Sequence, residues 1–386
     1  MKNIFPHIVR FIRETHHSED FIPLHAPTFK GKEREYVMDT IDSTFVSTVG
    51  HYVTELESRL ASYTSAKYAI ATVNGTSALH VALLVAGVKP EDEVITQSLT
   101  FVATCNAIRY CGAEPLFVDV ERTTLSMSPD SLEEYLSEYT ELRNDGLCWN
   151  KSTNRVIRAC VPMHNFGHPA RIDKINEICS SYNISLVEDA AESLGSYHKG
   201  THTGTIGKVS AISFNGNKII TTGGGGMVIT NDEAIAIKTR HITTTAKKPH
   251  PWLYQHDDIG YNYRMPNLNA ALGCAQMEML PEFVERKRIL AERYREWFAD
   301  KDYEFITEPD DSVSNYWINA ILTGGREERD ELLEYTNKNK VMTRPAWTPM
   351  HTLPMFRNNT RTNLDVTEWL EDRLVNLPSS VVLSDE

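Results

Sequence analysis

Three segments of the 386-residue sequence carry, in order, residue types that do chemistry. In Asn74-Gly75-Thr76-Ser77-Ala78-Leu79 a glycine turn follows an apolar run ending at Val73 and opens an alanine- and leucine-rich stretch. Strand, turn and helix N-terminus in that order aim free backbone N–H groups and the positive end of a helix dipole at one spot, which suits a phosphate. The same residues also make an ordinary turn with a threonine cap. In Leu186-Val187-Glu188-Asp189-Ala190-Ala191-Glu192 a carboxylate pair closes an apolar strand. α/β proteins take their ligands at the carboxyl ends of parallel strands, so Asp189 is placed either to keep a ring nitrogen protonated or to cap the next turn. Finally, Ser210-Ala211-Ile212-Ser213-Phe214-Asn215-Gly216-Asn217-Lys218 leads a lysine out of an apolar strand toward Thr221, Thr222 and the four glycines 223–226. An amine there, partly desolvated, can act as a nucleophile, although a lone lysine is ordinarily a solvated surface charge.

Each segment has a bland explanation; the order of all three is specific. A phosphate turn, an acid at a strand end and a lysine about thirty residues later on one sheet are the groups pyridoxal phosphate needs. It requires a phosphate cradle, an acid for the pyridinium nitrogen and an amine for the imine.

The elements that must position these groups are visible as periodicity. Short β-branched runs alternate with helix-like segments over roughly residues 55–245, which predicts parallel strands with crossover helices on both faces. Strands are expected at 68–73, 93–97, 115–118, 156–161, 185–188, 210–214 and 227–230, and helices at 77–85, 101–110, 131–137, 173–181 and 232–241. Beyond about residue 245 a long helical segment over 267–299 is followed by a strand at 317–322 and a charged helix at 326–337. The fold class is therefore α/β: residues 1–250 form an N-terminal segment plus a large domain, and 251–386 a smaller α+β domain. The N-terminal segment reads as an amphipathic helix over 1–11 and a further helix at 33–42, and part of it is expected to pack on the later domain.

Composition narrows the function. Hydrophobic residues at 41 % and charged residues at 24 % are ordinary for a folded chain with a sizeable core. Thirty-nine Lys and Arg against 52 Asp and Glu leave a formal charge of -13, which argues against nucleic acid and anionic lipid as partners. Six cysteines without CxxC spacing suit a reducing cytoplasm, not a zinc module or disulfide framework. The longest nearly apolar run, 78–88, is too short to span a bilayer. His164 and His168 are four apart, but Gly167 and Pro169 break the helix that would pair them, so no metal is expected and both are read as lining a cleft.

Over nearly its whole length the sequence resembles the sugar aminotransferases of the DegT/DnrJ/EryC1/StrS family. The resemblance rests on Ile22-Pro23-Leu24, Asn74-Gly75-Thr76-Ser77-Ala78-Leu79 and Glu188-Asp189-Ala190-Ala191. Also matching are Ser213-Phe214 with Lys218, Thr221-Thr222-Gly223 with Gly225-Gly226-Met227, and Gly260-Tyr261-Asn262-Tyr263-Arg264-Met265. It implies a type I, aspartate aminotransferase-like fold whose large domain has a mostly parallel seven-stranded sheet, and pyridoxal 5′-phosphate as cofactor. It further implies that Lys218 carries the cofactor as an imine and then shuttles a proton, and that Asp189 keeps the pyridine nitrogen protonated. Gly75, Thr76 and Ser213 would hold the phosphate and Phe101 would stack on the ring. Asn262 would reach the phosphate in the neighbouring subunit of a homodimer with shared active sites. Many members have Gln where this chain has Glu192, beside the cofactor's ring hydroxyl, and Glu where it has Gly224. His168, Tyr316, Trp347 and His351 are candidate substrate contacts.

Residues 343–351 and the N-terminal extension look most like the branch that aminates 4-keto-6-deoxy nucleotide sugars for legionaminic acid- or bacillosamine-type products. That implies glutamate as amino donor, a nucleotide-linked keto sugar, UDP-linked by preference, as acceptor, and a place in making a lipopolysaccharide or other surface glycan. Two alternatives remain. A related dehydratase branch has His at the Schiff-base position, against which Lys218 speaks. A non-catalytic sugar sensor would not need the intact set of Asp189, Ser213 and Lys218.

Overall fold

The computed structural model describes residues 4–382. Three helices precede the first strand: α1 (Phe5–His16), α2 (Glu33–Asp42) and α3 (His51–Thr64). The expected N-terminal helix thus begins at Phe5, with Pro6 in its first turn where a missing N–H costs nothing; residues 1–3 of that expectation lie outside the described residues.

The main sheet has seven strands: β1 (Tyr68–Thr72), β2 (Glu93–Gln97), β3 (Glu114–Val118), β4 (Ile157–Val161), β5 (Ser185–Asp189), β6 (Val209–Ser213) and β7 (Gly226–Thr230). Their spatial order is β1-β7-β6-β5-β4-β2-β3. The pairs from β6 through β3 are parallel, while β7 runs antiparallel to both β1 and β6. The carboxyl ends of β1, β2, β4, β5 and β6 consequently share one edge, and β7 starts there. Crossover helices α4 (Gly75–Val85), α5 (Val102–Tyr110), α6 (Pro129–Tyr139), α7 (Ile172–Ser181) and α8 (Glu233–Thr243) cover the sheet. Strands such as Val209–Ser213 and Gly226–Thr230 are buried at every position because both faces of the sheet are covered.

α9 (Asn267–Phe298) spans 32 residues and accommodates Pro281. It packs on α2 and α3, the N-terminal segment expected to meet the later chain. Toward its end, Leu290, Tyr294 and Phe298 form a core with Phe5, Ile8 and Ile12 of α1. A second, antiparallel sheet of β8 (Glu304–Phe305), β9 (Asn319–Leu322), β10 (Arg344–Pro345) and β11 (Leu374–Leu377) has the order β8-β9-β11-β10. α10 (Arg326–Lys338) and α11 (Asp365–Glu371) are the last two helices among the described residues.

One expected boundary moves for a physical reason. The strand predicted at 317–322 starts only at Asn319, because the Asn315 side chain donates to the Glu192 and Leu194 carbonyls and accepts from Trp317 N–H. Tyr316 sits at φ +46° in that bend. Among the described residues no helix is long and apolar enough to cross a membrane.

Candidate active site

The phosphate turn sits between β1 and α4, whose first residue is Gly75. Asn74 caps the helix by accepting the Ser77 N–H at 2.7 Å. The N–H groups of Gly75 and Thr76 have no partner within the helix, as at any helix start. Gly75 lies against the end of β6: a Cβ added there would meet Ser213 Cβ at 2.7 Å and Oγ at 2.9 Å. A Cβ at Gly226, the start of β7, would fall 2.4 Å from Asn74 O. Both glycines are thus explained by close backbone approach. The result is a cluster of the Gly75 backbone with the Ser213 hydroxyl at the N-terminus of α4. Gly75→Ala should push Ser213 out of this cluster. Cofactor affinity, read by fluorescence titration of the cofactor-free protein, is expected to fall about tenfold or more, the loss of one hydrogen bond to a charged group. Unchanged affinity would remove Gly75 from the phosphate site.

Asp189 ends β5 and is 4 % exposed. Thr104 Oγ1 donates to its Oδ2 at 2.7 Å, and Ala191 N–H to Oδ1 at 3.2 Å. Thr104 lies one turn into α5, whose N-cap is Phe101. The helix that carries the expected ring-stacking side chain therefore also orients the expected acid. Burial pushes the Asp189 carboxyl up, opposed by Thr104 and the charge of Lys218. A cation in front of it would hold it ionised.

Lys218 follows the Asn215-Gly216-Asn217 turn, its N–H donating to Asn215 O at 2.9 Å. Its Nζ lies 3.1 Å from Glu192 Oε1 and 4.0 Å from the centroid of the Trp317 ring. Glu192 is fully enclosed and accepts the Phe166 N–H on Oε2 at 2.9 Å. Burial pushes this carboxyl up to about 7, with Lys218 pulling the other way.

The remaining sequence-derived residues divide. Phe101 is 45 % exposed, with its ring 6.3 Å from Trp347, which stacks on Phe166 at 4.8 Å. These rings form a wall beside Glu192. Asn262 is exposed at the surface, its backbone bridged to Thr244. His351 is occupied on both nitrogens, by Ser98 Oγ at 2.7 Å and Glu368 Oε1 at 3.4 Å, and links residue 351 to the end of β2. Tyr316 is buried, its hydroxyl accepting the Glu308 N–H. Edge-on to it lies His168, 1 % exposed and held down to about 4 by burial, with neither ring nitrogen partnered. His164, read from the sequence as lining a cleft, is enclosed: Nε2 meets Glu188 Oε2 at 3.1 Å and Nδ1 accepts the Ala170 N–H. Glu188 also takes the N–H groups of Gly204, Ile206 and Gly207, so the first acid of the pair pins a loop while the second faces the site.

Sequence reasoning missed Thr104, Asn315 and Trp317. Thr104 had a detectable signal, three residues after Phe101 on a predicted helix. Trp317, whose Nε1 donates to Asn217 O at 2.7 Å, had none, because 99 residues (218 to 317) separate it from the lysine it covers.

A cradle that a Cβ at position 75 would fill, a doubly hydrogen-bonded acid and an enclosed lysine fit pyridoxal phosphate. Comparison with known proteins agrees. The family model described as the DegT/DnrJ/EryC1/StrS aminotransferase family matches residues 27–386. The chain is 40 % identical over 366 residues to the GDP-perosamine synthase of Escherichia coli O157:H7, covering 95 % of each protein. It is 34 % identical over 373 residues to the GDP-perosamine synthase of Vibrio cholerae, again covering 95 % of each. Among solved structures it is similar to the aminotransferase TlmJ from Streptoalloteichus hindustanus, with a TM-score of 0.85, 26 % identity and 95 % of each chain covered. The chain belongs to the DegT/DnrJ/EryC1/StrS aminotransferase family and is a pyridoxal-phosphate-dependent aminotransferase of the type I fold.

Proposed function

We propose that the protein moves an amino group from glutamate to the C4 keto carbon of a nucleotide-linked 4-keto-6-deoxy sugar, in the synthesis of an amino sugar for a surface glycan. The observation that carries this reading is the convergence of Gly75, Ser213, Asp189 and Lys218 at one sheet edge. The names of the Escherichia coli and Vibrio cholerae relatives favour a GDP-linked acceptor over the UDP-linked one expected from the sequence.

Pyridoxal phosphate, when bound, supplies an electron sink for the carbanion left when a proton is removed beside the substrate nitrogen. Gly75 and Thr76 N–H groups and the Ser213 hydroxyl bind its phosphate. Asp189, oriented by Thr104, holds the proton on the pyridine nitrogen. Phe101 covers the ring. Lys218 attaches the cofactor and, once displaced by substrate, carries a proton on Nζ from one carbon to the other. Glu192 lies beside that nitrogen. His168, Tyr316, Trp347 and His351 shape the walls toward the sugar, Trp347 by direct contact, Tyr316 and His351 by holding the surrounding loops, and His168 by packing edge-on against Tyr316.

A homodimer with shared sites is part of the reading. Phe45, Val49, Trp252, Tyr254 and Ile259 are large apolar side chains left exposed in the segments flanking Asn262. A groove of about 1170 Å³ between α3, β1 and α8 is lined by residues of the same segments, including Gly50, Lys248 and Arg264. Exposed apolar groups around such a groove suit a second copy of the chain.

The test is a coupled assay with glutamate across 4-keto and 3-keto sugars linked to GDP, UDP and dTDP. The GDP-linked 4-keto-6-deoxy sugar is expected to be aminated fastest. No conversion of the cofactor to its amine form by glutamate would exclude this donor, and preference for a 3-keto acceptor would exclude C4.

A further inference from the structure

Lys218 is held on two sides by groups that a bare attachment point does not require. Glu192 Oε1 stands 3.1 Å from Nζ, and the Trp317 ring stands 4.0 Å from the same atom. Trp317 is itself tied to the turn through Asn217 O, so the lysine and its aromatic lid move together. The second carboxylate oxygen of Glu192 accepts the Phe166 N–H at 2.9 Å. Both oxygens therefore receive a donor, the pattern of an ionised carboxylate, which accepts on both oxygens and has no proton to give. Asn315 fixes the Glu192 backbone by donating to its carbonyl at 2.9 Å, so the carboxylate is aimed at Nζ from a rigid mount.

We propose that Glu192 is the charge partner of the Lys218 nitrogen: an ionised carboxylate that stabilises positive charge on this atom both in the free amine and after it has bonded to the cofactor. This rests on the cofactor reading above and adds a role for an acid that reading leaves unassigned. The enclosed pair shares its surroundings with Asp189 at the end of β5, whose negative charge acts on Glu192, and with His25 of the N-terminal segment, on which Lys218 acts. Trp317 and Phe166 supply no titrating charge. The balance is one ammonium against two carboxylates, and of the two only Glu192 touches Nζ. Burial opposes the ionised form of Glu192, so a cation at Nζ is what keeps it charged.

The experiment uses the full-length protein reconstituted with pyridoxal phosphate, freed of excess cofactor and titrated with pH while the absorbance of the lysine-bound chromophore is followed. An opposite charge at this distance moves a titration midpoint by about 1 to 3 units. In Glu192→Gln, which keeps the shape and the Phe166 hydrogen bond, the midpoint is expected to fall by that amount, roughly tenfold or more in proton affinity. Lys218 in the cofactor-free variant should also combine with added pyridoxal phosphate faster at neutral pH, because more of the amine is uncharged. A midpoint unchanged in Glu192→Gln overturns the proposal. Glu192→Asp retains the charge but withdraws it by one methylene and serves if the glutamine variant does not fold. A lowered midpoint in Glu192→Asp supports the proposal and an unchanged one overturns it. No lysine-bound chromophore in the wild-type protein would overturn the cofactor assignment and this inference together, whereas a normal chromophore with an unmoved midpoint overturns the inference alone.

Discussion

Lys218→Ala is expected to eliminate borohydride-trappable cofactor and to lower turnover by about 10⁴-fold or more, the upper range for a positioned proton-transfer group with covalent attachment lost as well. The reason is geometric. Among the described residues at this edge, Lys218 is the amine placed beside both Glu192 and the Trp317 ring and within electrostatic reach of Asp189. The variant should fold, because the turn is held by bonds that do not use the lysine side chain, Lys218 N–H to Asn215 O and the Trp317 indole N–H to Asn217 O. Removing the ammonium leaves Glu192 buried without its cation, so its carboxyl should be pushed further up. Reduction with borohydride followed by peptide mapping checks the assignment: cofactor retained on another lysine would move the catalytic role there.

Asp189→Asn is the second large effect. The amide keeps the size and can still accept from Thr104, but carries no charge to hold a proton on the pyridine nitrogen. Deleting one partner of a buried ion pair costs about 3–5 kcal/mol. At about 1.4 kcal/mol per factor of ten, the half-reaction with glutamate should slow by roughly 10²-fold to several thousandfold. Single-turnover absorbance with glutamate measures this step without the sugar. Thr104→Val supplies a companion result: it removes the hydroxyl that orients Oδ2 while leaving the carboxylate, so a smaller loss is expected than for Asp189→Asn. Near-normal rates in Asp189→Asn would mean that another group protonates the ring nitrogen.

Much of this architecture was legible in local pattern. The strand over 93–97 and the helix over 33–42 appear with the boundaries read from the sequence, and the seven strand positions of the main sheet were all marked by short apolar runs between turn residues. Such runs identify themselves because a strand covered on both faces must be apolar at successive positions. α3, α11 and the strand Leu374–Leu377 were not separated from their surroundings. α3 is a mixed sequence, His51 to Thr64, whose buried side, Tyr52, Leu56 and Leu60, has meaning only against α9 and β1, elements outside its own segment. The last strand pairs with residues 319–322, more than fifty positions earlier, and its register cannot be seen locally.

At the site the division is sharper. The sequence alone determined which chemistry was available: a glycine turn before a helix, an acid at a strand end and a lysine after an Asn/Gly turn. Those signals are short-range, set by backbone geometry within a few residues. Tertiary structure decided which members of each local group face the cofactor edge. Glu188 and His164 turned inward to pin a loop, His351 and Tyr316 were taken up in packing, and Glu192 and Trp317 were brought onto Lys218 from 26 and 99 residues away. Side-chain contact at 3–4 Å depends on how the crossover helices and the Asn315–Trp317 bend dock on the sheet, and packing between distant elements sets that docking where propensity does not.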